Sequence, residues 1–131
     1  MKFLLDTHTW LWVVLTPGKL NRHARRDLEN RENQIYLSPI SIWEAHHLAL
    51  WKRFRPDRPF PEWLAMMLTK SPLLEAPFTF AVATEVSRIH LPQPDPGDTF
   101  LAATAVTFDL TLVTADTQLL GCKWLKTLAA D

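Results

Sequence analysis

The chain has 131 residues, 47% hydrophobic and 21% charged, with fourteen basic and fourteen acidic side chains and a formal net charge of zero. That length and balance describe a soluble one-domain protein, residues 1–131, able to bury roughly two-thirds of its unfolded surface. They exclude a chain that holds nucleic acid through overall positive charge, and a single cysteine, Cys122, excludes an internal disulfide and a cysteine metal site.

The charge is unevenly spread. Residues 1–70 carry eleven Lys and Arg against seven Asp and Glu, and residues 71–131 carry three against seven. A basic half and an acidic half suit a polyanion held beside a cation-filled acidic pocket, although chance unevenness gives the same numbers. Asp6 interrupts the N-terminal apolar run before a secretory h-region forms. No stretch reaches the ~18 apolar residues of a membrane span. The expectation is a cytoplasmic protein with no membrane partner.

The elements follow in chain order. Phe3-Leu4-Leu5 reads as a strand buried on both faces, ending abruptly at Asp6. Thr9 to Leu15 follows as a short helix, halted by Thr16-Pro17-Gly18. Asn21 caps a polar helix over residues 22–29, and residues 34–37 form a second strand. Ser38-Pro39 opens a helix through Ile40, Trp43, Leu48 and Trp51. A helix over 62–68, a weak strand over 73–75 and a helix over 80–89 precede a proline-rich joint, residues 91–97. Residues 98–108 are helical and 111–114 form the clearest strand. A short helix over 116–120 and an edge strand near Lys123-Trp124-Leu125 close the chain. Helices alternating with strands predict an α/β fold with a mainly parallel sheet.

Four carboxylates stand out. Asp6 and Asp116 each follow the end of an apolar strand, where open α/β sheets bind ligands, though both also fit ordinary helix N-caps. Glu44 falls among Ile40, Leu48 and Trp51 on what reads as the core-facing stripe of its helix, and glutamate is rarely buried without a partner. In Asp95-Pro96-Gly97-Asp98 the spacing lets Asp95 cap the helix while Asp98 faces a ligand. Four carboxylates brought together repel by ~1 to ~4 kcal/mol per pair at 4 Å, depending on the medium. A hard divalent cation relieves that repulsion, and oxygen-only ligands select Mg²⁺ or Mn²⁺. His46 and His47 read as hydrogen-bonded core histidines, and His8 is left open as a residue of the pocket mouth. Lys52, Arg53, Arg55 and Arg58 form a basic run that is either a solvated helix end or a phosphate-contact patch.

Leu4-Leu5-Asp6-Thr7-His8, Ser38-Pro39-Ile40-Ser41-Ile42-Trp43-Glu44, Asp95-Pro96-Gly97-Asp98 with Leu101-Ala102-Ala103-Thr104-Ala105, and Leu112-Val113-Thr114-Ala115-Asp116 come in this order. Together they resemble the PIN-domain family and, within it, the VapC-type toxins of bacterial toxin–antitoxin pairs. The resemblance implies a PIN-like three-layer fold with a five-stranded sheet. It makes Asp6, Glu44, Asp98 and Asp116 a metal-binding quartet, Thr114 its support and Asp95 an accessory acid. It further implies an endoribonuclease that uses Mg²⁺ or Mn²⁺, a homodimer, and a cognate antitoxin seated in the active groove. Gly97 stands where many relatives carry a bulky residue and Thr99 where many carry arginine, departures that bear on pocket shape and substrate contacts. Three other readings compete: a haloacid-dehalogenase-like phosphatase, a receiver-like metal-binding domain, and a PIN domain that binds without turnover.

Overall fold

The computed structural model describes residues Met1–Asp131. Its centre is β1 (Lys2–Leu5), flanked by β2 (Gln34–Leu37) and β4 (Thr111–Thr114), with β3 (Leu74–Glu75) and β5 (Thr127–Ala129) at the edges. The order is β3-β2-β1-β4-β5 and every pairing is parallel. Parallel neighbours need crossovers, supplied by α1 (Thr7–Leu15), α2 (Arg22–Glu29), α3 (Pro39–Leu50), α4 (Phe60–Lys70), α5 (Phe80–Val86), α6 (Pro96–Phe108) and α7 (Thr117–Leu120).

Strand residues alternate between two cores. Phe3, Leu5 and Val113 join Trp10, Leu11, Val14, Trp63 and Met67 on one face of the sheet. Leu4 and Leu112 join Leu101, Ala102, Ala105 and Leu119 on the other. Each large apolar side chain so buried contributes ~1.5–3 kcal/mol. Two buried faces make three layers, as expected from an unbroken apolar run at β1. No helix is long and apolar enough to cross a membrane.

The chain runs from β1 outward to β3 on one side, then returns to lay β4 against the opposite side of β1. That reversal opens a crevice beyond the carboxyl ends of β1 and β4, where ligands of open α/β sheets bind.

Several boundaries move. α1 begins at Thr7 rather than Thr9, because Asp6 caps it directly. α4 extends to Phe60–Lys70, and α5 stops at Val86 in a run of turn hydrogen bonds instead of reaching Ile89. The last strand is Thr127–Ala129, not Lys123–Leu125, since Leu112 pairs with Thr127 and Leu125 packs into the second core as an isolated residue.

The core-facing stripe of α3 also needs correction. Its fully buried positions are Ser41 and Ala45, whereas Trp51 is 66% exposed. Small residues let α3 approach α1 and α6 closely, which leaves the bulky side chains to the margins. His46 is exposed and His47 half-buried against Trp43 and Trp51, so neither is a core histidine.

Candidate functional site

Asp6 sits where β1 becomes α1, its backbone N–H still bonded to the Val113 carbonyl of β4. It is a buried carboxylate with both oxygens engaged. Oδ1 accepts the Thr9 N–H at 2.8 Å and Oδ2 accepts the Thr114 hydroxyl at 2.5 Å. The same Thr114 oxygen accepts the Asp116 N–H at 3.0 Å. One hydroxyl at the end of β4 thus ties two acids of the sheet edge together. Asp116 in turn caps α7, accepting from the Gln118 and Leu119 N–H groups.

Asp95 caps α6 by accepting the Asp98 N–H at 3.1 Å, and Pro96 occupies the first helical position. Asp98 is therefore free to face outward from the first turn of the helix. Gln118 steadies the preceding joint by bonding both the N–H and the carbonyl of Gln93.

Glu44 arrives from α3. Its Oε1 accepts the Thr7 hydroxyl at 2.6 Å, and Ser41 Oγ lies 3.0 Å from the same Thr7 oxygen. A hydroxyl has one proton, so Thr7 donates to Glu44 while Ser41 supplies the second bond. The carboxylate lies against Gly97: a Cβ there would stand 2.1 Å from Oε2 and 2.7 Å from Cδ. Only a residue without a side chain leaves Glu44 this position.

A pocket of about 380 Å³ collects these groups, with Asp6, Glu44, Asp95, Asp98 and Asp116 in its wall beside Thr7, His8 and Trp12. The four acids singled out from the sequence meet there, with Asp95 as a fifth and His8 at the exposed rim. A larger cavity of about 720 Å³ lies between α2 and residues 71–73. Glu29 is its only acid, so chemistry points to the smaller one.

The acids feel one another. Asp98 is pushed up to about 7, first by burial and then by Asp95, Asp116, Glu44 and Asp6. Burial also raises Glu44; the Thr7 hydrogen bond and His8 pull it down, while Asp95 and Asp6 push it up. The donor set is oxygen only, with no lysine or arginine in the pocket wall to neutralise it. That composition fits a hard divalent cation. The side chains are not drawn into a ready-made cage, for no three of them stand close enough to hold an ion as they are.

The basic run lies elsewhere. Lys52, Arg53, Arg55 and Arg58 are all exposed beyond the end of α3, and none lines the pocket. Arg58 is bonded to Asp57 at 3.0 and 3.2 Å. Thr7, Trp12 and Gln118 carry parts of the site that the sequence did not single out. A threonine after a capping Asp, a half-buried tryptophan and a surface glutamine give no pattern of their own.

Comparison with known proteins bears on the family and the fold. The sequence model of the PIN domain matches residues 3–121. No curated protein matches the chain in sequence. Among solved structures, a chain of VapBC2 from Rickettsia felis, bound to a DNA fragment from its promoter, is 18% identical over the whole of both chains, with TM-score 0.76. DNA-bound VapBC from Salmonella typhimurium is 20% identical, covering 98% of this chain and 97% of that one, with TM-score 0.71. FitAcB from Neisseria gonorrhoeae is 25% identical, covering 88% of each chain, with TM-score 0.58. The resemblance carried by the four motifs is borne out, as is the five-stranded parallel sheet. The chain belongs to the PIN-domain family.

Proposed function

We propose that the chain is a divalent-metal-dependent endoribonuclease, the toxin component of a toxin–antitoxin pair. One observation carries this reading: five carboxylates, from just past the ends of β1 and β4, from α3 and from the start of α6, line a single pocket at the sheet's switch point, with no lysine or arginine in its wall. Family membership and the likeness to the VapBC and FitAcB structures support it.

In this reading Asp6, Asp98 and Asp116 would hold Mg²⁺ or Mn²⁺, and Glu44 would assist in holding it or position the nucleophile. The ion supplies Lewis-acid polarisation of a phosphodiester and makes a water ionisable at neutral pH. The chain supplies the rest. Asp6, with both oxygens already oriented by the Thr9 N–H and the Thr114 hydroxyl, is a fixed point of attachment. Asp98, raised first by burial and then by the neighbouring carboxylates, would serve as a ligand in its ionised form, which a divalent cation held there would favour. Glu44, raised by burial and held by Thr7, suits a group that takes a proton from the attacking water. Single-stranded or loop RNA is the expected substrate, because its bases are open to stacking and edge contacts. Lys52, Arg53, Arg55 and Arg58 are candidate phosphate contacts. A homodimer in the cytoplasm, silenced by a cognate antitoxin seated over the acidic pocket, completes the proposal.

The purified protein should cut RNA with Mg²⁺ or Mn²⁺, leave 5′-phosphate ends, and stop on chelation. Asp6→Asn should abolish cleavage while the circular dichroism spectrum stays native. Cyclic-phosphate ends, or cleavage that survives chelation, would sink the metal mechanism. A wild-type chain that binds metal without cutting would be the inactive, binding-only PIN domain.

A further inference from the structure

α3 presents an aromatic ladder on its outer face. Trp43, His47 and Trp51 recur every four residues, with ring centroids 4.3 Å apart for the first pair and 5.5 Å for the second. Trp43 and Trp51 are 57% and 66% exposed, unlike Trp10 and Trp63, which pack edge-on inside the core. The rings are not parallel, at 70° between Trp43 and His47 and 48° between His47 and Trp51, so each exposed tryptophan offers its own face to a flat ligand and does not share one stack.

Charge says which kind. Just past the ladder come Lys52, Arg53 and Arg55, exposed and absent from every ion pair of the molecule. At the other end, Trp43 is next in sequence to Glu44, which lines the acidic pocket, while Trp43 itself lies outside the pocket wall. From Trp43 to Trp51 the helix rises about 12 Å, the length of some three stacked nucleotides at ~3.4 Å each. Aromatic faces interleaved with free cations are how proteins hold single strands without reading their sequence.

We propose that Trp43, His47 and Trp51 form a stacking platform for single-stranded RNA, that Lys52, Arg53 and Arg55 hold its phosphates, and that this track delivers the strand to the acidic pocket. The assignment rests on the nuclease reading for its direction, but binding to the ladder is separable from cleavage. Duplex RNA, whose bases are paired and stacked on each other, gains nothing from the platform.

The test uses the full chain carrying Asp98→Asn, a fluorescein-labelled oligouridine and an equivalent RNA duplex, all with chelator present. Oligouridine should quench tryptophan fluorescence and bind more tightly than the duplex. Trp51→Ala should weaken oligouridine binding about tenfold and Trp51→Phe should largely restore it, as stacking requires. Arg53→Gln should lower the salt dependence of binding. Unchanged affinity in Trp51→Ala overturns the platform. If Trp51→Ala instead lowers the mass seen by sedimentation and leaves RNA affinity intact, the face joins two copies of the chain and the proposal fails. Failure of the nuclease reading would show separately, as absence of Mg²⁺-dependent cleavage by the wild-type chain.

Discussion

Gly97→Ala isolates what the Glu44 carboxylate does. A Cβ at position 97 would lie 2.1 Å from Oε2, where ordinary contact begins near 3.4 Å. The carboxylate must therefore retreat by about 1.3 Å, and the 2.6 Å hydrogen bond from Thr7 stretches or breaks with it. Gly97 has no positive φ, so alanine fits the backbone. Removing a glycine also restricts the unfolded chain, worth ~0.4–1 kcal/mol in favour of folding. The fold should hold or gain slightly while a proton-accepting group moves by more than an ångström, a displacement that can cost ~100-fold in rate. Single-turnover cleavage of a short RNA in Mg²⁺ should fall by about that factor, with the melting temperature unchanged or raised. Wild-type rates in Gly97→Ala would refute a role for the observed Glu44 position. A collapsed melting temperature would refute the claim that the carboxylate can yield.

Three further outcomes are expected. Thr114→Val removes the hydroxyl shared by Asp6 and the Asp116 N–H, leaving a buried carboxylate short of a donor; urea unfolding should show a loss of ~1.5–3 kcal/mol, and a loss under 0.5 would mean the bond is idle. Asp98 is raised to about 7 in the fold from 3.8, so the folded state binds the extra proton between those values. Without divalent metal, stability should be greatest below pH 3.8 as far as this group is concerned and should fall as pH rises towards 7. Asp98→Asn should flatten that slope in pH-dependent melts and raise the melting temperature at pH 8; an unchanged slope would contradict the crowded pocket. Conversely, the Mg²⁺-induced gain in melting temperature should shrink below pH 7, where protons compete for Asp98, and should be smaller in Asp98→Asn at every pH.

Most of the framework was legible because it rests on local rules. The apolar run Phe3-Leu4-Leu5, the Ser38-Pro39 and Asp95-Pro96 starts, and the strand at Leu112-Val113 each carry their own signal, and the structure uses them as expected. The acids at strand ends were found for the same reason, and their N-cap bonds proved compatible with lining the pocket. Glu44 was singled out through a partly wrong premise. A helical wheel scores bulk, and α3 instead turns Ser41 and Ala45 inward so that it can lie close to α1 and α6. The carboxylate is half-buried by Gly97 and Thr7 from other elements, contacts that no single-helix pattern contains. The final strand was misplaced because Trp124 and Leu125 outweigh Thr127 and Ala129 in hydrophobicity, whereas pairing to β4 decides the matter. Trp51, which that stripe turned inward, stands exposed in the structure beside Trp43.

The central claim is that Asp6, Glu44, Asp98 and Asp116 enclose a divalent cation, and anomalous diffraction from crystals grown in Mn²⁺ tests it most directly. The expected result is a manganese peak in the acidic pocket, bounded by Asp6, Asp98 and Asp116, that disappears in Asp6→Asn. Saturating Mn²⁺ with no peak there, or a peak only beside Glu29 in the larger cavity, would contradict it.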